Sequence, residues 1–147
     1  MPRIQRSALV PRRPELVFDL VNDVDSYPRH FAWCAAAGVR ERTADAMLAE
    51  LTLTWAGAKL TLATRNRFVR PSKIALELAA GPLQSLQGAW SFTAIGDAGC
   101  RVSLDLDFRS AGTLASIAFA RGFGLIADRL VHDFTTVAMA QAESAHD

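Results

Sequence analysis

The chain has 147 residues, half of them hydrophobic and 21% charged, with a formal net charge of +1. That length suits one domain over residues 1–147, burying roughly 68–70% of the surface its unfolded form exposes. A balanced charge gives no strong overall field for nucleic acid or anionic membranes, though it leaves room for a local basic patch; two cysteines exclude a disulfide framework, and no run reaches the roughly 18–20 apolar residues of a membrane span. A cytoplasmic protein with reduced thiols at Cys34 and Cys100 is the expectation.

Ile4 to Val10 reads as a strand stopped by Pro11. Pro14 suits the first turn of a helix, where its missing N–H costs nothing. Val17, Leu20, Val21 and Val24 follow at helical spacing and give that helix one apolar face. Asp25 or Ser26 is placed to cap a second short helix that runs through Phe31, with Pro28 in its first turn.

From Cys34 the period changes to two. Leu51, Leu53 and Trp55 alternate with Glu50, Thr52 and Thr54, and Gly57 offers a turn. Leu60, Leu62, Thr64, Asn66 and Phe68 share one face of the next strand, opposite Thr61, Ala63, Arg65 and Arg67. Ile74, Leu76 and Leu78 continue the pattern; so do Leu86, Gly88, Trp90 and Phe92. Gly96-Asp97-Ala98-Gly99 is a hairpin turn. It leads to Val102, Leu104, Leu106 and Phe108, which alternate with Arg101, Ser103, Asp105, Asp107 and Arg109. The pattern is an antiparallel meander, apolar on one face and wet on the other.

The C-terminal segment returns to the helical period. Phe119, Phe123, Ile126, Leu130, Phe134 and Val137 form a stripe about 80° wide at 100° per residue. Arg121, Asp128 and His132 lie opposite. Leu114, Ile117 and Leu125 form a second apolar strip that a straight helix would expose. Gly122 and Gly124 cost roughly 1 kcal/mol each inside a helix, so a kink near Gly122 is expected. The part before it, within residues 111–127, would then pack on a partner, on a second copy or on a membrane surface, unless the sheet edge covers it. The fold class that follows is α+β: a curved antiparallel sheet of about seven strands around a long C-terminal helix, with two short helices after the first strand.

That order, with LVNDVDSYPRHFAWC, ATRNRF, GPLQSLQGAWSF, CRVSLDLDF and the AFARGFG…LVHDF helix, resembles the START-like helix-grip superfamily. Within it the chain is similar to the coenzyme Q-binding, polyketide cyclase/dehydrase-related group that includes the RatA-type ribosome-association toxins. Ala32 stands where that group usually has proline before the tryptophan, and Val137 where its long helix usually has arginine. The resemblance implies a tunnel between sheet and helix that binds ubiquinone or a related isoprenoid lipid and supports respiration as a lipid chaperone. It also implies two alternatives: a toxin-like inhibitor that docks on the large ribosomal subunit, and a cyclase-type enzyme. As a lipid carrier the protein would be cytoplasmic or peripheral at the inner membrane.

The richest stretch chemically is NDVDSYPRHFAWC, Asn22 to Cys34. His30 and Cys34 are close in sequence, but a nucleophile–base pair needs hydrogen-bond geometry and an orienting third group. His30, His132 and His146 have no zinc-ligand spacing. Asp105 and Asp107 share a strand face with Arg101 and Arg109, as on a solvated charge ladder. No inward-facing acid, base or nucleophile stands out from the alternation, so no catalytic residue, metal or cofactor is expected. The expected site is instead a binding site. Tyr27, Phe31 and Trp33 would form its lip. Leu53, Trp55, Leu62, Trp90, Leu104, Phe123 and Leu130 would form its apolar wall. Thr64, Asn66 or Tyr27 would orient a ligand headgroup, since a buried amide left unpaired costs about 1–3 kcal/mol. For ribosome docking the candidate basic footprint is Arg3, Arg6, Arg12, Arg13, Arg40 and Arg42.

Overall fold

The computed structural model describes the backbone of residues 3–146 and the side chains of residues 3–140. The side chain of His146 lies outside the described residues. The elements run β1 (Arg3–Val10), α1 (Pro14–Asn22), a 3-10 turn (Val24–Ser26), α2 (Tyr27–His30), β2 (Cys34–Arg42), β3 (Ala46–Trp55), β4 (Ala58–Val69), β5 (Lys73–Ala80), β6 (Ser85–Ile95), β7 (Gly99–Arg109), α3 (Leu114–Ala127) and α4 (Leu130–His146). All seven strands form one antiparallel sheet in the order β1-β7-β6-β5-β4-β3-β2. The first strand pairs with the last, so the meander is folded back on β1 and the sheet closes partway around the helices.

The period-two reading of β4 to β7 holds along most of each strand, the exception being Ala63, read as outward but buried beside a register shift between β4 and β5. Val102, Leu104, Leu106 and Phe108 are buried, and Arg101 and Arg109 are exposed. The wet face carries the expected charge ladder: Arg3 sits 2.9 Å from Asp105 and Gln5 donates to the same carboxylate at 3.3 Å. Arg3 holds the Asp105 carboxyl below its ordinary range. On the opposite, apolar face Gly88 leaves needed room, because a Cβ there would lie 2.1 Å from the Asp105 carbonyl oxygen and 2.7 Å from the Leu106 side chain.

Two local expectations are corrected. The second short helix is a 3-10 turn followed by one α-turn, and neither Asp25 nor Ser26 caps it. Ser26 instead donates to Asp23 at 2.6 Å and accepts from Arg29 at 2.8 Å. The break in the C-terminal helix lies at Asp128–Arg129, not near Gly122. Gly122 and Gly124 serve close packing instead. A Cβ at Gly122 would come 3.3 Å from Leu60, and one at Gly124 would come 3.3 Å from Phe108. At the break, the Arg129 N–H bonds back three residues to Ile126 at 3.0 Å, and the Asp128 carboxylate pairs with Arg6. This interruption lets Phe119, Phe123 and Ile126 of α3 and Val131, Phe134 and Ala138 of α4 all face the sheet.

The second apolar strip is exposed as the helical wheel requires. Leu114 is 88% exposed, Ile117 42% and Leu125 46%. α3 begins with a Thr113 cap, whose hydroxyl accepts the Ser116 N–H at 3.1 Å. No described helix is long and apolar enough to cross a membrane.

Candidate functional site

Between the concave sheet face and the helices lies a cavity of about 80 Å³. β3 contributes Leu53, β4 contributes Leu62, Thr64 and Asn66, and β6 contributes Trp90. Tyr27 and Trp33 close one end, and Phe123 and Leu130 close the helix side. These are nine of the twelve residues expected at a binding site. Leu51, Leu76, Leu86 and Phe134 also line the cavity. Their signal was present in the same alternation and helical stripe, but alternation gives the face and not the depth along it.

Three expected residues stand elsewhere. Leu104 is buried, but it belongs to the core and not to the cavity wall. Phe31 lies behind Trp33, stacked on its indole at 4.8 Å between ring centroids. Trp55, at the end of β3, is only half buried and lines two outer grooves. It ends a strand that continues into a turn at Ala56 and Gly57, where both residues have positive φ and the chain leaves the core.

Thr64 and Asn66 are the polar exception in an apolar wall, and both are buried. The Thr64 hydroxyl donates to the Asn66 amide oxygen at 2.7 Å. This joins the pair to each other and leaves the Asn66 NH₂ without an acceptor among the described residues. In this arrangement the amide oxygen is taken by Thr64 and the NH₂ end is turned away from it. The Trp90 indole N–H likewise has no acceptor among the described residues. Tyr27 does not share this role, because its hydroxyl donates to the Val21 carbonyl.

The lip is an aromatic cluster. Tyr27 meets Phe31, Trp33 and Phe134 edge-on, and the Trp33 indole N–H donates to Asp133 at 2.8 Å. Asp133 sits in the first turn of α4, where a carboxylate also favours the positive end of the helix. On the outer side of Trp33 is an open groove of about 490 Å³. It gathers His30, His132, Arg129, Asp133 and Thr136, a grouping that sequence spacing does not show.

Nucleophilic chemistry is not favoured at the cavity. Burial pushes the Cys34 thiol up to about 11, and its Sγ lies against the Ala36 carbonyl at 3.3 Å. Cys34 lines neither the cavity nor the outer groove that holds His30. Burial, with smaller effects from Cys34 and Asp23, also raises the Tyr27 hydroxyl far above its usual range. Among the described residues, no three His, Cys, Asp or Glu side chains gather as a metal would need.

The arginines considered for ribosome docking do not make one patch. Arg40 and Arg42 lie on β2 and Arg3 and Arg6 on β1, which are opposite edges of the sheet. Arg3, Arg6 and Arg40 are paired with Asp105, Asp128 and Glu50.

Comparison with known proteins agrees with this architecture. Residues 10–135 match the family model described as polyketide cyclase / dehydrase and lipid transport. The ribosome association toxin RatA of Escherichia coli strain K12 is 38% identical over 135 residues, covering 92% of this chain and 85% of the relative. RatA of Pseudomonas aeruginosa is 40% identical over 131 residues, covering 89% and 91%. Among solved structures, the Zhui aromatase/cyclase from Streptomyces sp. R1128 superposes with a TM-score of 0.82 over 98% of this chain and 97% of that one. At 17% identity it speaks for the fold alone. With sheet, helices and matches in agreement over nearly the whole chain, this protein belongs to the polyketide cyclase/dehydrase and lipid transport family of START-like folds, alongside the RatA-type toxins.

Proposed function

We propose that this protein binds one apolar ligand in the cavity, an isoprenoid quinone such as ubiquinone, and carries or sequesters it without transforming it. The observation that carries the reading is the Thr64–Asn66 pair. It sits in a largely apolar wall, with one amide end, and beside it the Trp90 indole N–H, left to meet a ligand oxygen. A quinone carbonyl is such an acceptor, and a prenyl chain suits the leucine and aromatic wall at about 25 cal/mol per Å² of apolar surface removed from water. Binding without chemistry is supported by the walls themselves. Tyr27 is their only group with an ionisable proton, and that proton is tightly held.

The cavity of about 80 Å³ is smaller than the ~150 Å³ that admits a benzene-sized guest. Binding therefore requires the walls to part.

The test is denaturing and native mass spectrometry of the purified protein for co-purified lipid. A quinone is expected, displaced when Leu62→Trp fills the cavity. Protein that neither retains nor takes up quinone defeats the reading.

A second reading is favoured by one observation, that relatives at 38–40% identity are ribosome association toxins. On that reading the chain docks on the large ribosomal subunit and blocks subunit joining. Co-sedimentation with large subunits, unaffected by Leu62→Trp, would support it. A cyclase activity would require turnover of an aromatic polyketide.

A further inference from the structure

α3 has two apolar faces. The inner one, with Phe119 and Phe123, closes the core and the cavity. The outer one presents Leu114, Ile117 and Leu125, exposed over roughly 16 Å of helix at 1.5 Å per residue. Beside it runs an apolar groove of about 390 Å³ between α3 and the β3–β4 turn, floored by Trp55 and Leu60.

The two charges on the segments that form the groove are of one sign, and Asp128, at the break that ends α3, is taken by Arg6. Segments 54–62 and 111–127, which form the groove, carry two charged residues, Lys59 and Arg121. Both are exposed, and neither is ion-paired among the described residues. By contrast Arg3, Arg6, Arg40 and Arg70 all have carboxylate partners. We propose that this face of α3 is a docking surface for an anionic lipid bilayer, with Leu114, Ile117 and Leu125 entering the acyl boundary and Lys59 and Arg121 meeting acidic headgroups.

A second copy of the chain fits less well. Three exposed side chains fall short of the roughly 800 Å² per partner of a stable interface. A two-fold pairing would also crowd the cations of both copies together with no acid to receive them. An interfacial helix, in turn, needs an apolar face with basic residues at its rim. α3 has the apolar face, with Arg121 set among Ile117, Leu114 and Leu125 on the wheel, where its long side chain can carry the charge outward, and with Lys59 across the groove on β4; it ends at a break on the C-terminal side and at Gly112, with φ of +90°, on the other.

Docking is read without any bound ligand, so its outcome is separate from the carrier reading. Purified protein is sedimented with phosphatidylcholine vesicles and with vesicles in which a third of the lipid is phosphatidylglycerol. Binding to the second kind is expected, weakening as salt is raised. Lys59→Gln or Arg121→Gln should each weaken it by about fivefold. The double variant Leu114→Asp/Leu125→Asp should abolish it, with an unchanged melting curve, since both side chains already face water. Absence of binding to the anionic vesicles, or binding that the double variant leaves intact, overturns the proposal. So does a dimer seen by analytical ultracentrifugation that the double variant dissolves.

Discussion

Trp33 is a wall with two different sides. Its inner side faces a cavity of about 80 Å³ where nearly every contact is apolar and one amide is left without a protein partner. Its outer side faces a groove of about 490 Å³ with two histidines, an arginine and an aspartate. The reactive residue types are concentrated outside, where water competes for every hydrogen bond and exposed pairs contribute little. The unpaired donors, the Asn66 amide and the Trp90 indole, are concentrated inside, in the proposed recognition site, where an unpaired donor carries a large penalty. The stretch from Asn22 to Cys34 spans both sides, which is why it reads as an active site by composition while its structural work is that of a partition.

Removing the partition should give the largest effect. Trp33→Ala deletes the stack on Phe31 and the bond to Asp133, joins cavity to groove, and should destabilise the fold by about 3–5 kcal/mol, measured by urea unfolding. Next is the inner polar group. Asn66→Leu keeps the volume and removes the donor, and should lower quinone affinity about tenfold, equivalent to ~1.4 kcal/mol, in a fluorescence titration. Unchanged affinity would place the headgroup elsewhere.

The inner thiol supplies a pH test. The Cys34 thiol ionises at about 11 in the folded chain against an ordinary value of 9.0. A raised pKa favours the fold while the thiol is protonated, so this contribution is complete below pH 9 and is lost as pH rises toward 11. Native Cys34 should resist alkylation at neutral pH and react once the chain is unfolded; rapid native labelling would show the lip open. Smallest of all, His132→Ala on the outer side should leave ligand occupancy unchanged and shift stability by no more than about 0.5 kcal/mol. A loss of ligand there would move the binding site into the groove.

Much of this was legible in the sequence because alternation and helical spacing are local. The inward set of β4, from Leu62 through Thr64 to Asn66, follows from a period of two, and the α3–α4 stripe follows from a period of 3.6. The exposure of Leu114 and Leu125 follows from the same wheel. Other features depend on distant partners. Gly122 read as a bend because glycine weakens helices, yet its neighbour is Leu60, more than sixty positions away, and what it provides there is room. Trp55 and Leu104 lie on the correct faces, but strand depth is set by how far the sheet curls. Tyr27 has the right chemistry for a headgroup, but its hydroxyl is taken by the Val21 carbonyl.

By itself, then, the order of apolar and polar residues determined the strands, the faces they bury and the apolar character of the interior, since burial selects for periodicity within one element. Only the tertiary structure decided which inward residues share a void, that His30 and His132 line one groove outside Trp33, and that the helix breaks at Asp128 rather than Gly122. Those outcomes depend on distances between elements far apart in the chain, and no local period encodes such distances.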